Sequence, residues 1–462
     1  MSVEGINSPK DPSGFTQRAM KIRQTIKERD DEPLLISHHD ADGIAALAVM
    51  SDFLDSLDRD YEYLITKGID STIVDDISTR EHSLIIFLDL GNDPTLIRLV
   101  HRISRAIIID HHIPDPMIVE TPIFLQLNPH LFGFDGSYEA SSSTTAYYVT
   151  QTQPTKALVG CIGDLQYRRT GQLEGLNREV LDDSPVIERK DVTFFGRNRP
   201  LFVSLAYSSD PYIPGLTGDP EACKAFLINL GLGPKHESTT WLTLDELSND
   251  AKKRLVGELA QHAMIQGVSS TEFSRLIGWV YLSSETTQFY GLRDLREIAT
   301  ALNACGRLQQ YELAFSFLKQ TASSSKIVSI LNSYRTRLAK SLKILADLEP
   351  EPLGAFFLID ARDLIDERIA GVVLGMGLGS RIIPTDRPAL ILTSSTKGAL
   401  KLSARTTQKL LIREKIHLAR ILRKITNDLE AEAGGHDIAA GAHIPAKELP
   451  IFLERIRKTS FH

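Results

Sequence analysis

The stretch AIIIDHH, residues 106–112, carries the strongest structural and chemical signal in the sequence. Three consecutive β-branched isoleucines are typical of a strand buried inside a parallel sheet. Asp110, His111 and His112 follow at the carboxyl end of that strand, which is where open α/β sheets bind their ligands. Three polar residues after one strand are usually a turn, so the interpretation depends on further segments of the same kind.

The segment LLISHHDADG, residues 34–43, repeats this order of apolar and then polar residues. It predicts a strand and a polar loop, and the apolar residues that follow predict a helix. Gly43 would allow close backbone approach at the turn. In an extended segment the alternating His38, Asp40 and Asp42 would share one face. This segment alone therefore offers three candidate metal ligands.

Two more segments, LIIFLDLGN (residues 84–92) and ALVGCIGD (residues 157–164), each predict a strand that ends at a carboxylate, Asp89 and Asp164 respectively. A single aspartate after a strand is most often a helix cap or a turn residue. Six or seven oxygen and imidazole ligands together exceed the needs of one tetrahedral zinc ion. They suit two ions of Mn²⁺, Zn²⁺ or Fe²⁺, or of Mg²⁺, which share a carboxylate and cleave phosphoesters.

The segments HHDADG, FLDLGN, IIIDHH and GCIGD, in this order, resemble the four motifs of the DHH phosphoesterase superfamily. Residues 400–407 (LKLSARTT) and 433–445 (AGGHDIAAGAHIP) resemble the DHH-associated C-terminal domain and its glycine-rich loop. Residues 194–218 look like the archaeal RecJ-like proteins of the GINS-associated nuclease type. Residues from about 225 to 345 match no motif, and the rest of the chain carries the resemblance.

The resemblance implies two divalent metal ions, Mn²⁺ in the first place and Mg²⁺ as the alternative, with Asp89 bridging them. The implied ligands are His38, Asp40 and Asp89 for one ion, and Asp42, Asp89, His111 and Asp164 for the other. His112 would face the scissile phosphate as a donor. Asp110 would orient the histidines, as carboxylates behind metal ligands often do.

The C-terminal domain is implied to hold the substrate phosphate or sugar. The residues carried over for this role are Ser403, Arg405, Gly434, Gly435 and His436. Arg168 is expected to contact phosphate because it follows the fourth motif directly. The sequence departs from the family pattern in having His38 where bacterial members have Asp, as the archaeal branch commonly does. It also has Ala433 at the first position of the glycine loop.

A length of 462 residues is too great for one ordinary core and predicts two to three domains. We expect an α/β protein in which a DHH domain has a parallel sheet and a smaller C-terminal domain is again α/β. The expected divisions are a flexible tail (1–14), the DHH catalytic domain (15–190), an irregular and helical middle region (191–350) and the DHH-associated domain (351–462). The serine-rich residues 136–145 have the composition of a linker; a phosphate-binding loop or a helix cap is the competing interpretation.

The net charge of −7 argues against binding nucleic acid over the whole surface. It leaves local binding open, because several of the acidic side chains would be engaged with metal ions. Three isolated cysteines without metal-type spacing favour a reducing, cytoplasmic setting. No apolar run approaches the length of a membrane span, so we expect no membrane association.

The leading functional hypothesis is a metal-dependent exonuclease that degrades single-stranded DNA, or RNA, with 5′→3′ polarity suggested by the resemblance. It would act in DNA replication or repair, with GINS and the replicative helicase as possible partners. One alternative is a replisome scaffold that binds GINS with little catalysis, as in the eukaryotic relative that has lost metal ligands. Another is a phosphodiesterase for short oligoribonucleotides or cyclic dinucleotides.

Overall fold

The computed structural model describes residues 9–69, 71–79, 82–91, 105–114, 121, 123–208, 212–235, 239–266, 273–284, 289, 292–322, 324–395, 399–435 and 437–461. Its strands are β1 (Leu34–His38), β2 (Glu62–Thr66), β3 (Leu84–Leu88), β4 (Arg105–Ile109), β5 (Phe124–Leu127), β6 (Val186–Val192), β7 (Ile277–Ser283), β8 (Glu351–Leu353), β9 (Phe356–Asp360), β10 (Ala389–Ser394), β11 (Ala399–Arg405), β12 (Glu432–Gly435) and β13 (Ala439–Pro445).

The α-helices of the described chain lie before, between and after these strands, singly or in groups of two or three. They are α1 (Pro12–Lys27), α2 (Ala41–Asp55), α3 (Ser71–Thr79), α4 (Ser142–Thr150), α5 (Pro154–Gly163), α6 (Gly175–Asp182), α7 (Leu201–Ala206), α8 (Pro220–Asn229), α9 (Asn249–Ile265), α10 (Leu295–Arg307), α11 (Tyr311–Leu318), α12 (Ser324–Asp347), α13 (Glu367–Gly379), α14 (Gln408–Glu414), α15 (Leu418–Thr426) and α16 (Leu449–Arg457). The predicted α/β class is confirmed.

Two compact units share the chain. The first comprises residues 1–191 and 278–331, and the second comprises residues 192–277 and 332–462. The middle region that we expected at 191–350 is therefore divided between the two units. Residues 278–331 belong with the predicted catalytic domain, although they follow it in sequence by almost a hundred residues.

The first unit is built on a five-stranded sheet in the order β2-β1-β3-β4-β5, and all neighbouring strands are parallel. β2, the next strand along the chain after β1, pairs on one side of β1, and β3 pairs on its other side. The direction of the strand order therefore reverses between β1 and β3. In register, Ser37 pairs with Leu88, and Leu88 pairs with Ile109. The next residue of each strand therefore lies at one carboxyl edge, at the position where such sheets bind ligands.

Both faces of this sheet are buried, which explains the nearly continuous apolar sequence of its strands. Leu35 of β1 and Ile107 of β4 lie in a core with residues of α1, α2, α4 and α5. The alternate residues Ile36 and Ile108 lie in a second cluster on the opposite face, with Ile77 of α3. The sheet is thereby held between helical layers, and its carboxyl edge remains available for polar residues.

The second unit contains a six-stranded sheet in the order β12-β13-β11-β10-β9-β8. β9 and β10 are parallel, and the other pairs are antiparallel. Apolar side chains from the sheet, from α15 and from α16 together form one core. Residues 192–276 contribute another core, which contains Phe194 and Leu255. The apolar segments LGAFFLID (353–360) and PALILTS (388–394) contain β9 and β10.

The structure differs from the expected elements at three places. α1 begins at Pro12, with Asp11 as its N-cap, so the expected tail at 1–14 already contains helix; residues 1–8 lie outside the described residues. The run that begins at Ala157 and ends before Asp164, predicted as a strand, lies in helix α5. The mainly helical middle region contains β7, which pairs with β6 in a two-stranded sheet.

Candidate metal centre

The first cluster lies where β1 passes into α2. Asp40 is the N-cap of α2, and its Oδ1 accepts a hydrogen bond from the backbone N–H of Gly43 at 3.0 Å. A β-carbon on Gly43 would lie 2.4 Å from the carbonyl oxygen of His38, so only glycine fits this turn. Asp42 lies in the first helical turn. The expectation that His38, Asp40 and Asp42 share a face of an extended segment is wrong, because the helix begins at Ala41.

Asp89 stands at the centre of the cluster. It follows β3 with a φ of 62°, a left-handed backbone that non-glycine residues adopt uncommonly, and it is 2% exposed. Its Oδ2 lies 3.2 Å from Nδ1 of His38, and its Oδ1 lies 3.4 Å from Nε2 of His111. The two oxygens of one buried carboxylate thus face two different histidines.

The histidines after β4 are held in defined orientations. Nδ1 of His111 lies 2.7 Å from the carbonyl oxygen of Gly136. Because a carbonyl can only accept, Nδ1 donates and the lone pair of neutral His111 is on Nε2, toward the carboxylates. Nδ1 of His112 lies 2.8 Å from Oδ1 of Asp110, which also accepts the backbone N–H of His111 at 2.8 Å. Asp110 therefore orients this segment through the ring of His112 and the backbone of His111.

Asp164 reaches the same place from a helix and not from a strand. It is the C-cap of α5, and its Oδ2 lies 3.7 Å from Nε2 of His111. Gln166 donates from Nε2 to Asp164 at 2.7 Å and to the carbonyl oxygen of Gly136 at 2.8 Å. One amide thereby links the carboxylate to the carbonyl that holds the imidazole. Gln166 was not among the predicted site residues.

The pKa values indicate that the cluster favours added positive charge. Burial and the neighbouring carboxylate of Asp89 raise the pKa of Asp42 to about 7. Burial alone would lower the pKa of His111, but the surrounding carboxylates, with Asp164 first, raise it well above its usual value. The pKa of His38 is raised in the same way against burial, chiefly by Asp40. Protons therefore occupy positions that divalent cations could take.

Three overlapping groups within the described residues could each hold a cation, because their ligand atoms lie within 4.8 Å of one another. They are Asp89 with Asp110, His111 and His112; His38 with Asp40 and Asp89; and Asp42 with His111 and Asp164. The structure thus gathers all eight residues predicted for the catalytic and metal positions. Mixed carboxylate and imidazole ligands fit a divalent metal ion.

Two serines outside the predicted site residues, Ser142 and Ser143, complete the site. The backbone N–H groups of Ser142 and Ser143 donate to Asp42 at 2.7 and 3.1 Å, and the hydroxyl of Ser142 donates to Asp89 at 2.8 Å. Ser141 caps α4 just before them, so the amino end of that helix is directed at buried carboxylates. The helix-cap interpretation of residues 136–145 is correct, and the linker interpretation is wrong. The Ser-x-x-Thr pattern of a capping box was the available signal.

Ser403 and Arg405, predicted to bind substrate, lie together in the second unit. They alternate on β11 and so point to the same face, which α13 covers. A β-carbon on Gly371 of α13 would lie 2.5 Å from Nη2 of Arg405 and 3.4 Å from Oγ of Ser403. Nη1 of Arg405 donates to the carbonyl oxygen of Ala404 at 2.8 Å. The guanidinium is therefore positioned against a glycine of the neighbouring helix.

The remaining predicted residues are distributed between the two units. Gly434 and Gly435 lie in β12, and Gly434 pairs with Gly441, which in turn pairs with Ser403. His436 lies outside the described residues. Arg168, in the first unit, is exposed in the turn after α5. Its neighbour Arg169 is engaged with Glu174 and Asp135.

Three protein-family models match the chain in order. They are the DHH family N-terminal domain over residues 34–168, the DHH-CID domain over residues 194–277 and the DHHA1 domain over residues 366–459. The DHH-CID match extends into the region where we recognised no motif. An uncharacterized protein of Methanocaldococcus jannaschii is 26% identical over 457 residues, covering 94% of this chain and 96% of that protein.

Solved structures share this fold at low sequence identity. CDC45 from Entamoeba histolytica has a TM-score of 0.66 and 12% identity, covering 96% of this chain and 98% of its own. RecJ from Thermus thermophilus in complex with Mn²⁺ has a TM-score of 0.55 and 18% identity, covering 98% of this chain and 56% of its own. An exonuclease RecJ bound to manganese scores 0.54 at 18% identity, covering 97% of this chain and 94% of its own.

Among the described helices, none combines the length and apolarity that crossing a bilayer requires.

The family models divide the chain in the order DHH, DHH-CID and DHHA1, and the acidic and imidazole cluster lies within the first of them. The fold relationship to RecJ and CDC45 extends over nearly the whole chain. The protein therefore carries the DHH, DHH-CID and DHHA1 domains of the DHH superfamily, in a fold similar to that of RecJ and CDC45.

Proposed function

We propose that this protein is a metal-dependent exonuclease that hydrolyses phosphodiester bonds of single-stranded DNA from the 5′ end, in DNA replication or repair. The DHH fold and the ligand groups support the broader class, a metal-dependent phosphoesterase. The observation that carries the proposal is the position of Asp89. Its two oxygens lie 3.2 and 3.4 Å from the ring nitrogens of His38 and His111, so one carboxylate can serve two ions.

Two divalent ions, Mn²⁺ in preference to Mg²⁺, are the proposed cofactors. His38, Asp40 and Asp89 would hold one of them, and Asp42, Asp89, His111 and Asp164 the other. When bound, two such ions activate water and offset charge on the phosphate oxygens. The serine N–H groups on Asp42 and the amide of Gln166 on Asp164 would keep these carboxylates in place.

His112 would contact the scissile phosphate. Its side chain is 40% exposed, whereas that of His111 is 8% exposed, so His112 is the accessible imidazole of the pair. Burial opposes its charge, but the carboxylate of Asp110 prevails and raises the pKa of His112 to about 9. A protonated imidazole at neutral pH can donate from Nε2 to a phosphate oxygen. Asp110 would act through His112 as its positioning partner.

Residues of the second unit would bind the rest of the substrate. The guanidinium of Arg405 can hold a phosphate through two parallel hydrogen bonds, and the hydroxyl of Ser403 lies on the same face of β11. Gly434, Gly435 and His436 would contribute the glycine-rich loop. In the first unit, the exposed Arg168 is proposed to contact phosphate near the cluster.

The test uses single-stranded DNA and RNA, labelled at the 5′ or 3′ end, with Mn²⁺ or Mg²⁺. We expect mononucleotides released progressively from the 5′ end of DNA. Asp89→Asn should abolish cleavage while the fold is retained by circular dichroism. Asp58→Asn is the matched control, because Asp58 is an exposed aspartate with a similar φ of 51°. Near-native cleavage by Asp89→Asn would refute the bridging role, and selective cleavage of short oligoribonucleotides or cyclic dinucleotides would replace the DNA substrate.

A replisome scaffold is the second candidate function. The observation that favours it is the similarity to CDC45 over 98% of that chain, with a higher TM-score than either RecJ structure. Under this proposal the protein binds GINS and the replicative helicase. Size-exclusion chromatography with light scattering, using GINS from the same organism, tests for the complex. A complex without nuclease activity would support the scaffold alone, and active protein without a complex would support a free-standing nuclease.

A further inference from the structure

Helix α10 returns to the first unit after the 192–277 segment and lies against the metal centre. The side-chain amide of Asn303 makes two hydrogen bonds there. Its Oδ1 accepts the backbone N–H of Ala41 at 3.0 Å, and its Nδ2 donates to the carbonyl oxygen of Gly163 at 3.3 Å. An amide has one accepting and one donating end, so the two bonds require opposite groups. Asn303 therefore joins two segments that are more than a hundred residues apart.

The N–H of Ala41 and the carbonyl of Gly163 both lie at helix ends, where the helix itself supplies no hydrogen-bond partner. Ala41 is the first residue of α2, and the first N–H groups of a helix have no acceptor within it. Gly163 is the last residue of α5, and the last carbonyls of a helix have no donor within it. A single amide thus caps the amino end of one helix and the carboxyl end of another.

These two helix ends carry metal-centre carboxylates. Asp40 and Asp42 flank Ala41, and Asp164 follows Gly163 directly. The ends are packed closely, since a β-carbon on Gly163 would lie 2.5 Å from Cβ of Ala41. The separation of Asp42 from Asp164 therefore depends on how α2 and α5 meet, and Asn303 bridges that junction.

Other residues on this face of α10 also pack closely against the segments of the metal centre. Ala299, Asn303 and Gly306 recur at helical spacing on one side of α10. A β-carbon on Gly306 would lie 2.1 Å from the carbonyl oxygen of His39, a backbone atom that cannot move aside cheaply. α10 is consequently held at a fixed distance from the loop between β1 and α2, and the amide of Asn303 is held with it.

We propose that Asn303 is a positioning residue of the metal centre. By capping α2 and α5 together, it sets the distance between Asp42 and Asp164 and so the affinity for the ion that they share with His111. This inference rests on the proposed two-metal function. It assigns a role to a helix in which the sequence analysis found no chemical signal.

The test measures Mn²⁺ binding to metal-free protein by the loss of the electron paramagnetic resonance signal of aqueous Mn²⁺. Asn303→Leu removes both hydrogen bonds at nearly constant volume. We expect two ions per wild-type chain, and about 10-fold or greater loss of affinity for one of them in the variant, the range typical of residues behind metal ligands. Activity should recover when Mn²⁺ is raised. Thr300→Val is the control, because the bond that the hydroxyl of Thr300 makes among the described residues stays within α10, to the carbonyl oxygen of Arg296.

Asn303→Asp covers the case in which the leucine variant does not fold. It keeps the acceptor for Ala41 and loses the donor for Gly163, and its added negative charge would by itself strengthen cation binding. Weaker binding of one ion would therefore report lost positioning. Unchanged binding in folded Asn303→Leu, tighter binding in Asn303→Asp, or equal loss at both ions would overturn the inference. Absence of Mn²⁺ binding by the wild-type protein would instead refute the proposed function on which it rests.

Discussion

Gly371 of α13 is predicted to set the working position of Arg405, and Gly371→Ala is the perturbation that tests it. The added β-carbon would lie 2.5 Å from Nη2 of Arg405, whereas ordinary contacts of such carbons begin at about 3.4 Å. The clashing atom is the far end of a flexible side chain, so the guanidinium can retreat while the helix stays in place. The change should therefore damage function and spare the fold.

The magnitude follows from the distances. The guanidinium must retreat by about 1 Å, and a displacement of that size in a group that holds substrate can cost about 100-fold in rate. For a group that binds phosphate away from the reacting bond, we expect about a 10-fold rise in KM, which corresponds to about 1.4 kcal/mol. Alanine in place of a mid-helix glycine should also stabilise the fold by about 0.5–1 kcal/mol.

Gly375→Ala is the matched control, one turn further along the same helix. Its β-carbon would lie 4.0 Å from Cδ and Nε of Arg405, which is an ordinary contact. Both variants gain the same helix propensity, so thermal unfolding should show both at or above the wild-type melting temperature. The assay is steady-state cleavage of labelled single-stranded DNA at saturating Mn²⁺, with metal stoichiometry measured alongside. We expect KM to rise in Gly371→Ala and to stay within about twofold of wild type in Gly375→Ala.

Two results would refute this reasoning. A wild-type KM for Gly371→Ala would mean that Arg405 does not act from the position against α13. An equal rise in both variants would mean that the helix surface, and not the guanidinium, contacts the substrate. A double-mutant cycle adds a stricter condition, because Gly371→Ala should have no further effect once Arg405 is alanine.

Three further predictions concern the same sites. Arg405→Ala should raise KM by about 10-fold to 100-fold, the worth of a charge-assisted hydrogen bond, and leave the metal stoichiometry unchanged; loss of bound Mn²⁺ would contradict its assignment to substrate. Ser142→Ala removes a donor to Asp89 and should weaken Mn²⁺ affinity by about 10-fold to 100-fold in a binding titration, with the melting temperature of the metal-free protein little changed. Folding raises the pKa of Asp42 to about 7 and that of His111 well above its usual value. The metal-free fold therefore holds protons that the unfolded chain releases, so its melting temperature should fall as pH rises above 6, and less so with saturating Mn²⁺. Equal slopes with and without Mn²⁺ would show that metal and protons do not compete.

Prediction from sequence succeeded where an apolar run ended in a charged residue at a sheet edge. Such runs identified β1, β3 and β4, and parallel strands bring their carboxyl ends to one edge whatever the rest of the chain does. The order of residues along the chain was therefore enough to place His38, Asp89 and Asp110 together. Register confirms the placement, since the residues just before them pair across the three strands.

Prediction failed for residues 157–162, which belong to α5. A helix that is buried on all sides has no polar stripe, so a short apolar run cannot be told from a buried strand by periodicity. The glycines in this run allow a neighbouring helix to approach closely. A β-carbon on Gly160 would lie 2.3 Å from Oγ of Ser143, so α5 packs closely on α4. Asp164 lies beside the other candidate ligands, as predicted, but it follows a helix and not the predicted strand.

The amino-acid sequence by itself determined the α/β class, the candidate ligands and the glycine at each close turn. These depend on local order: apolar runs of strand length, polar residues at their ends, and residues without a β-carbon where the backbone turns. Such local patterns can be recognised from the sequence, because they involve only residues that are neighbours along the chain.

Only the tertiary structure decided which groups hold the ligands in place. Ser142, Gln166 and Asn303 contact metal-centre segments from 30 to 262 residues away. A serine, a glutamine or an asparagine in a polar segment is commonplace, and nothing local distinguishes one that caps a buried carboxylate from one in water. Their roles arise because burial makes every unpaired polar group costly, and the fold determines which group is near enough to pair with it.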